Sequence, residues 1–127
     1  MTQLSNSYDL EGRTARFGEN IIEFCRNIRQ DVISKPLISQ LVRSGTSIGA
    51  NYMEANAASS KKDFQNKIFI CKKEAQETKH WLRMITKCFP AEEKDKIRKL
   101  WQEAQAQELT LIFQKITTSL KSKKFEN

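Results

Sequence analysis

The chain has 127 residues, a net formal charge of +7, 39% hydrophobic residues, four Gly and two Pro. That is one domain's worth of chain with too few turn formers for a sandwich or barrel, and its Leu, Ile, Lys, Glu, Gln and Ala favour helices. No 18-residue apolar run exists, which excludes an ordinary transmembrane helix.

The opening "MTQLSNSYDL" lacks a basic segment followed by an apolar run, so no signal peptide is expected and a cytoplasmic location is. Cys25, Cys71 and Cys88 are odd in number and far apart, without a C-x-x-C. They read as buried, reduced thiols rather than a disulfide framework or a zinc site. The excess of Lys and Arg suits nucleic acid, an anionic surface or an acidic protein partner.

Residues 1–8 read as a flexible lead-in. From Asp9, a candidate cap, Leu10, Phe17, Ile21, Phe24, Ile28 and Val32 recur at helical steps and predict a first helix to Ile33. Ser34-Lys35-Pro36 interrupts it, because the residue before proline is pushed from helical geometry. Pro36 suits the first turn of a second helix, which Leu37, Leu41, Ile48, Tyr52 and Ala55 carry to about Ala58. Ser60-Lys61-Lys62-Asp63 resembles a capping box. Phe64, Ile68, Cys71, Ala75, Thr78, Leu82 and Ile85 then form the cleanest stripe of the chain.

Phe89-Pro90 ends that helix, and Ala91 to Glu93 opens a fourth. Trp101, Leu109, Ile112, Phe113, Ile116 and Leu120 supply its buried side, with Gln105 a weak link between two apolar halves. Residues 121–127 form a basic tail. Four long helices with short connections predict an all-α fold, an antiparallel up-down-up-down four-helix bundle over residues 9–120.

The second helix is unusual. Pro36 to Ser60 spans 25 residues with two charges, Arg43 and Glu54, where about seven are expected from the overall composition. Val42, Thr46, Gly49 and Met53 flank its core stripe on one side, and Ser44, Ser47, Asn51 and Ala58 on the other. Nearly the whole circumference is apolar or small, which points to a second subunit packing on it. Val42, Arg43, Ser44, Gly45, Ser47, Gly49, Asn51, Met53 and Glu54 are the expected interface. The alternative for the glycines is tight packing within one bundle. Arg43 and Glu54 are eleven residues apart, too far to pair with each other. Each therefore meets a partner on another helix or subunit, or sits in water.

"QLVRSGTSIGANYMEA" resembles the signature of the bacterial four-helix-bundle family first associated with intervening sequences in 23S ribosomal RNA genes. "YDLEGRTARFGENIIEFCR" resembles that family's first helix and "SKKDFQNKIFICKKEAQETKHWL" its third. The resemblance spans about Tyr8 to Phe89, with the Arg43-Ser44, Thr46-Ser47-Ile48, Asn51 and Glu54 pattern its most specific part. It implies a bundle assembling into a homo-oligomeric ring, commonly a homopentamer. It also implies kinship with the accessory variability-determinant proteins of diversity-generating retroelements, basic pentamers that bind nucleic acid and a reverse transcriptase. Glu54-Ala55 stands where members often carry Glu-Gly.

Catalytic groups do not converge. His80, the single histidine, lies between Lys79 and Arg83, with Glu77 its one candidate orienting carboxylate, and reads as solvated. Ser44 and Ser47 have no nearby base, and no metal-ligand spacing or phosphate-cradling loop occurs. No enzyme activity, cofactor or metal is expected. On the third helix, Lys62, Phe69, Lys72, Gln76, Lys79, His80, Arg83 and Lys87 project onto one sector. Such a strip can follow the phosphates of RNA or DNA while a ring stacks on a base. Phe69 either stacks in that way or packs in an interface. The same basic face suits docking onto a nucleic-acid-processing protein such as a reverse transcriptase.

Overall fold

The computed structural model describes residues 9–102 and 105–126, with side chains over 9–101 and 108–120. The lead-in at residues 1–8 and the side chains of Gln105 and of residues 121–127 lie outside the described residues. Among the described residues there are five helical stretches: α1 (Leu10–Arg26), α2 (Ser34–Asn56), α3 (Lys61–Ile85), α4 (Lys94–Gln102) and α5 (Gln105–Glu126). Among the described residues there is no strand, and the fold is all-α.

α1 begins where expected, with the Asp9 carboxylate accepting from the Gly12 N–H at 2.9 Å. It ends at Arg26, seven residues short of the expected Ile33. The reason is a cap that periodicity did not show. Asp31 accepts from the N–H groups of Ile33 and Ser34 at 2.9 and 2.8 Å, and the Ser34 hydroxyl accepts from Asp31 N–H at 2.9 Å. Ser34 also donates to the Arg29 carbonyl at 2.7 Å. This reciprocal cap opens α2 ahead of Pro36, so the chain turns before the proline. Val32, expected in the core stripe, is 85% exposed on that turn, whereas Ile28 remains buried.

α2 runs antiparallel to both neighbours. Towards α1, Gly45 packs on Ile21 and Gly49 on Thr14, so numbering rises along one helix as it falls along the other. Towards α3, Arg43 reaches Glu77, Ser44 meets Thr78, and Glu54 meets Lys67. A methyl group added to Gly45 would stand 3.0 Å from Ile21 Cγ1, and one added to Gly49 would stand 3.3 Å from Thr14 Oγ1. Two helix backbones approach closely here, and the contact offsets the helix propensity lost at each glycine, about 1 kcal/mol.

Ser60 caps α3, accepting from Asp63 N–H at 3.0 Å. Ile68, Cys71, Ala75, Thr78, Leu82 and Ile85 are all buried, as the stripe predicts. A 3₁₀ turn at Thr86–Cys88 and an extended Phe89 close α3 before Pro90. Phe89 stacks on Phe24 at 5.6 Å between ring centroids, tying this turn to the end of α1. Cys25 and Cys71 are buried free thiols, held protonated by desolvation with pKa values pushed up to about 11 and about 12. Cys88 is also free but half-buried, so only two of the three thiols lie inside.

The expected fourth helix is described in two stretches. A 3₁₀ turn at Ala91–Glu93 leads into α4, and α5 runs from Gln105 to Glu126. α5 packs broadly along α3, whereas α4 touches α3 lightly. Leu109 and Phe113 are fully buried, and Ile97 anchors α4 in the same core.

Two outcomes follow for stability. Hydrogen bonds from Ser34 and Ile33 hold the Asp31 pKa below its usual value. A depressed folded-state pKa stabilises above the unfolded pKa, and that stability is lost as pH falls through the folded value. Asp31→Ala should therefore lower the melting temperature at pH 7, with the difference from wild type closing as the pH is taken down through the carboxylate range. Gly45→Ala should destabilise by about 1–3 kcal/mol from overpacking. In an Ile21→Ala background, where the crowding side chain is gone, the same change should be neutral or stabilising, and urea denaturation of the four proteins checks this cycle.

Candidate nucleic-acid interface

The strip expected on α3 is largely at the surface. Lys62, Arg83 and Lys87 are exposed and Lys72 and Lys79 half-buried, with Lys87 in the 3₁₀ turn just past the helix end. Phe69 is 52% exposed among them. The Lys72 ammonium lies 5.3 Å from the Phe69 ring centroid and that of Lys79 lies 5.1 Å from that of Trp101. These cation–π contacts hold two of the long side chains along the surface. His80 is exposed and meets the edge of Trp81 at 4.9 Å, without an orienting carboxylate contact among those described. No group of three or more His, Cys, Asp or Glu suited to a metal ion occurs among the described residues.

The strip owes its sign to where α3 sends its acids. Arg43 on α2 reaches Glu77 at 2.7 Å and Glu74 at 3.2 Å, and its Nε donates to Gln40 at 3.0 Å. Desolvation opposes the guanidinium charge, but the hydrogen bonds to Glu77 and Glu74 outweigh it and raise its pKa. Both carboxylates therefore face α2. Asp63 sits in the first turn, where a negative charge suits the helix N-terminus. Projected at 100° per residue, the sector from Lys72 through Gln76 and Arg83 to Lys62 holds no acidic side chain.

The nine expected interface residues of α2 divide into two groups. Ser44 and Gly45 are buried inside a single chain, Ser44 hydrogen-bonded to Thr78 at 3.0 Å and Gly45 against Ile21. Their small size serves internal packing, and they leave the candidate interface. Val42, Ser47, Gly49 and Asn51 are half-buried, while Arg43, Met53 and Glu54 are exposed, Met53 by 59%. Ser47 and Asn51 turn their polar groups onto their own helix, bonding the Arg43 and Ser47 carbonyls at 2.6 and 2.8 Å. Arg43 and Glu54 each pair with α3, Glu54 through Lys67 at 2.7 Å.

Sequence reasoning missed the contribution of α4. Lys94, Ile97, Arg98 and Trp101 line a cleft of about 310 Å³ together with Leu82, Arg83 and Thr86 from α3 and its turn. Their spacing of three, four and seven residues is the signal that puts two cations and a ring on one helical face.

Arg43→Met should lower stability by about 1 kcal/mol, the upper range for a surface ion-pair network. Urea denaturation at low and at molar salt should show the deficit shrinking as salt rises.

Residues 9–122 match the family described as 23S rRNA-intervening sequence protein. The crystal structure of a protein of unknown function from the S23 ribosomal protein family of Bacteroides thetaiotaomicron VPI-5482 is similar, with a TM-score of 0.70 and 29% identity. The match covers 84% of this chain and 96% of that one. No curated protein matches the chain.

Proposed function

The chain belongs to the 23S rRNA-intervening sequence protein family, and from that premise we propose that it is a non-enzymatic, ring-forming helical bundle that binds RNA or DNA through repeated basic surfaces with little sequence preference. The observation that carries this reading is the acid-free cationic sector of α3, with Lys62, Lys72, Lys79 and Arg83 along it and Lys87 just beyond. Such a sector neutralises phosphates without reading bases.

Assembly strengthens the proposal. The side of α2 away from α1 and α3 leaves Ser39, Ala50, Met53 and Ala57 exposed, small or apolar groups between which no charge intervenes except Arg43 and Glu54 at one edge. A second copy seated there removes that surface from water. A five-fold ring, the state the family resemblance implies, carries about +35 and presents the strip five times, so weak contacts per subunit add by avidity. Within each subunit, the antiparallel α1–α2 and α2–α3 pairs extend to an up-down-up-down four-helix bundle in which α4 and α5 together form the fourth rod.

Exposed Phe69 favours a second reading, because a solvated aromatic among cations is also an anchor for a protein partner. In that reading the chain is an adaptor for a nucleic-acid-processing protein such as a reverse transcriptase, and a pull-down that survives nuclease treatment distinguishes it.

Wild type and a Lys72→Glu, Lys79→Glu, Arg83→Glu variant, titrated against RNA and DNA at two salt concentrations, test the proposal. Wild-type affinity should fall steeply with salt, log K by about 0.7–0.9 per phosphate contacted for each log unit, and the variant should lose most of its binding. Unchanged binding in the variant removes the strip, and native mass spectra showing a monomer at micromolar concentration remove the ring.

A further inference from the structure

The cleft between α3 and α4 has a floor and a rim of different chemistry. The half-buried Trp101 supplies the accessible apolar floor, backed from beneath by the buried Leu82 and Ile97, while Arg83, Lys94 and Arg98 bring three cations to its edge. The neighbouring acids of the 3₁₀ turn and α4 do not share it. Glu92, Glu93 and Asp95 line a separate cleft around Phe24 and Phe89 on another side of the same segment. An apolar floor under a purely cationic rim complements a ligand that is flat and apolar at one end and anionic at the other.

We propose that this cleft seats one unpaired nucleotide, its base on the Trp101 floor and its phosphate between Arg83, Lys94 and Arg98. This deepens the nucleic-acid reading and rests on it: Arg83 belongs to both the strip and the rim, so a strand following α3 is led to the cleft. A duplex keeps its bases stacked inside and can offer only phosphates, whereas a single strand can turn a base outwards. The cleft therefore sets a preference for single-stranded over double-stranded nucleic acid. The Lys79 ammonium, already over the Trp101 ring, holds that ring in place as the floor.

The test uses the full chain, isotopically labelled for NMR, with adenosine 5′-monophosphate, inorganic phosphate, a short single-stranded RNA and the matching duplex as probes. The comparison protein carries Lys94→Glu and Arg98→Glu, surface changes on α4 whose fold is checked by circular dichroism. Adenosine monophosphate should shift the Ile97 and Trp101 resonances at concentrations where inorganic phosphate does not. The variant should lose at least about tenfold in affinity for the nucleotide and for single-stranded RNA, the order expected for a lost charge-assisted contact to phosphate, and clearly less for the duplex. Equal shifts from inorganic phosphate, or equal losses on single strand and duplex, overturn the cleft assignment while leaving the strip intact. Nucleotide binding at the cleft without binding of either RNA upholds the assignment and overturns the wider nucleic-acid reading.

Discussion

The close approach of α1 to α2 is the contact from which the rest of the molecule is built. It needs small residues on α2: a methyl on Gly45 would stand 3.0 Å from Ile21 Cγ1 and one on Gly49 3.3 Å from Thr14 Oγ1, whereas one on Gly18 would only reach ordinary contact, 3.5 Å from the Gly45 carbonyl oxygen. Dispersion attraction falls off within an ångström of optimal separation. Bulkier residues here would hold the helices apart and strip contacts from the fully buried Phe17 and Ile21. On its opposite flank α2 uses small polar groups for the same purpose. Ser44 bonds Thr78, and the Cys71 thiol donates to the Ile48 carbonyl at 3.6 Å. α2 is therefore packed from two sides by its own chain. That two-sided burial explains much of its missing charge, and what it leaves exposed is the outer strip around Ala50 and Met53.

Fixing α2 also fixes which way α3 presents its charge. Arg43 draws Glu74 and Glu77 to the α2 side, and Glu54 holds Lys67 there too. The remaining lysines and Arg83 lie outward without intervening carboxylates. These pairs are exposed enough that each contributes little to stability. Their larger effect is on the surface field, because a carboxylate held on one flank cannot screen cations on another.

What was legible in the sequence divides along physical lines. The stripe of α3 and the cap at Asp9 are local periodic signals, and every residue of the stripe from Ile68 to Ile85 is buried. The spacing of Arg43 and Glu54 ruled out their pairing with each other and left a partner elsewhere or water open; each pairs with α3 while staying exposed. The end of α1 was not legible from periodicity, because Ile28 and Val32 keep the helical step after the backbone has turned. The D-V-I-S cap was present in the sequence, but its two reciprocal bonds compete with a proline signal two residues later. Ser44 and Gly45 were assigned to an interface because small residues mark close packing without naming the partner. Here the partners are Ile21 and Thr78 of the same chain.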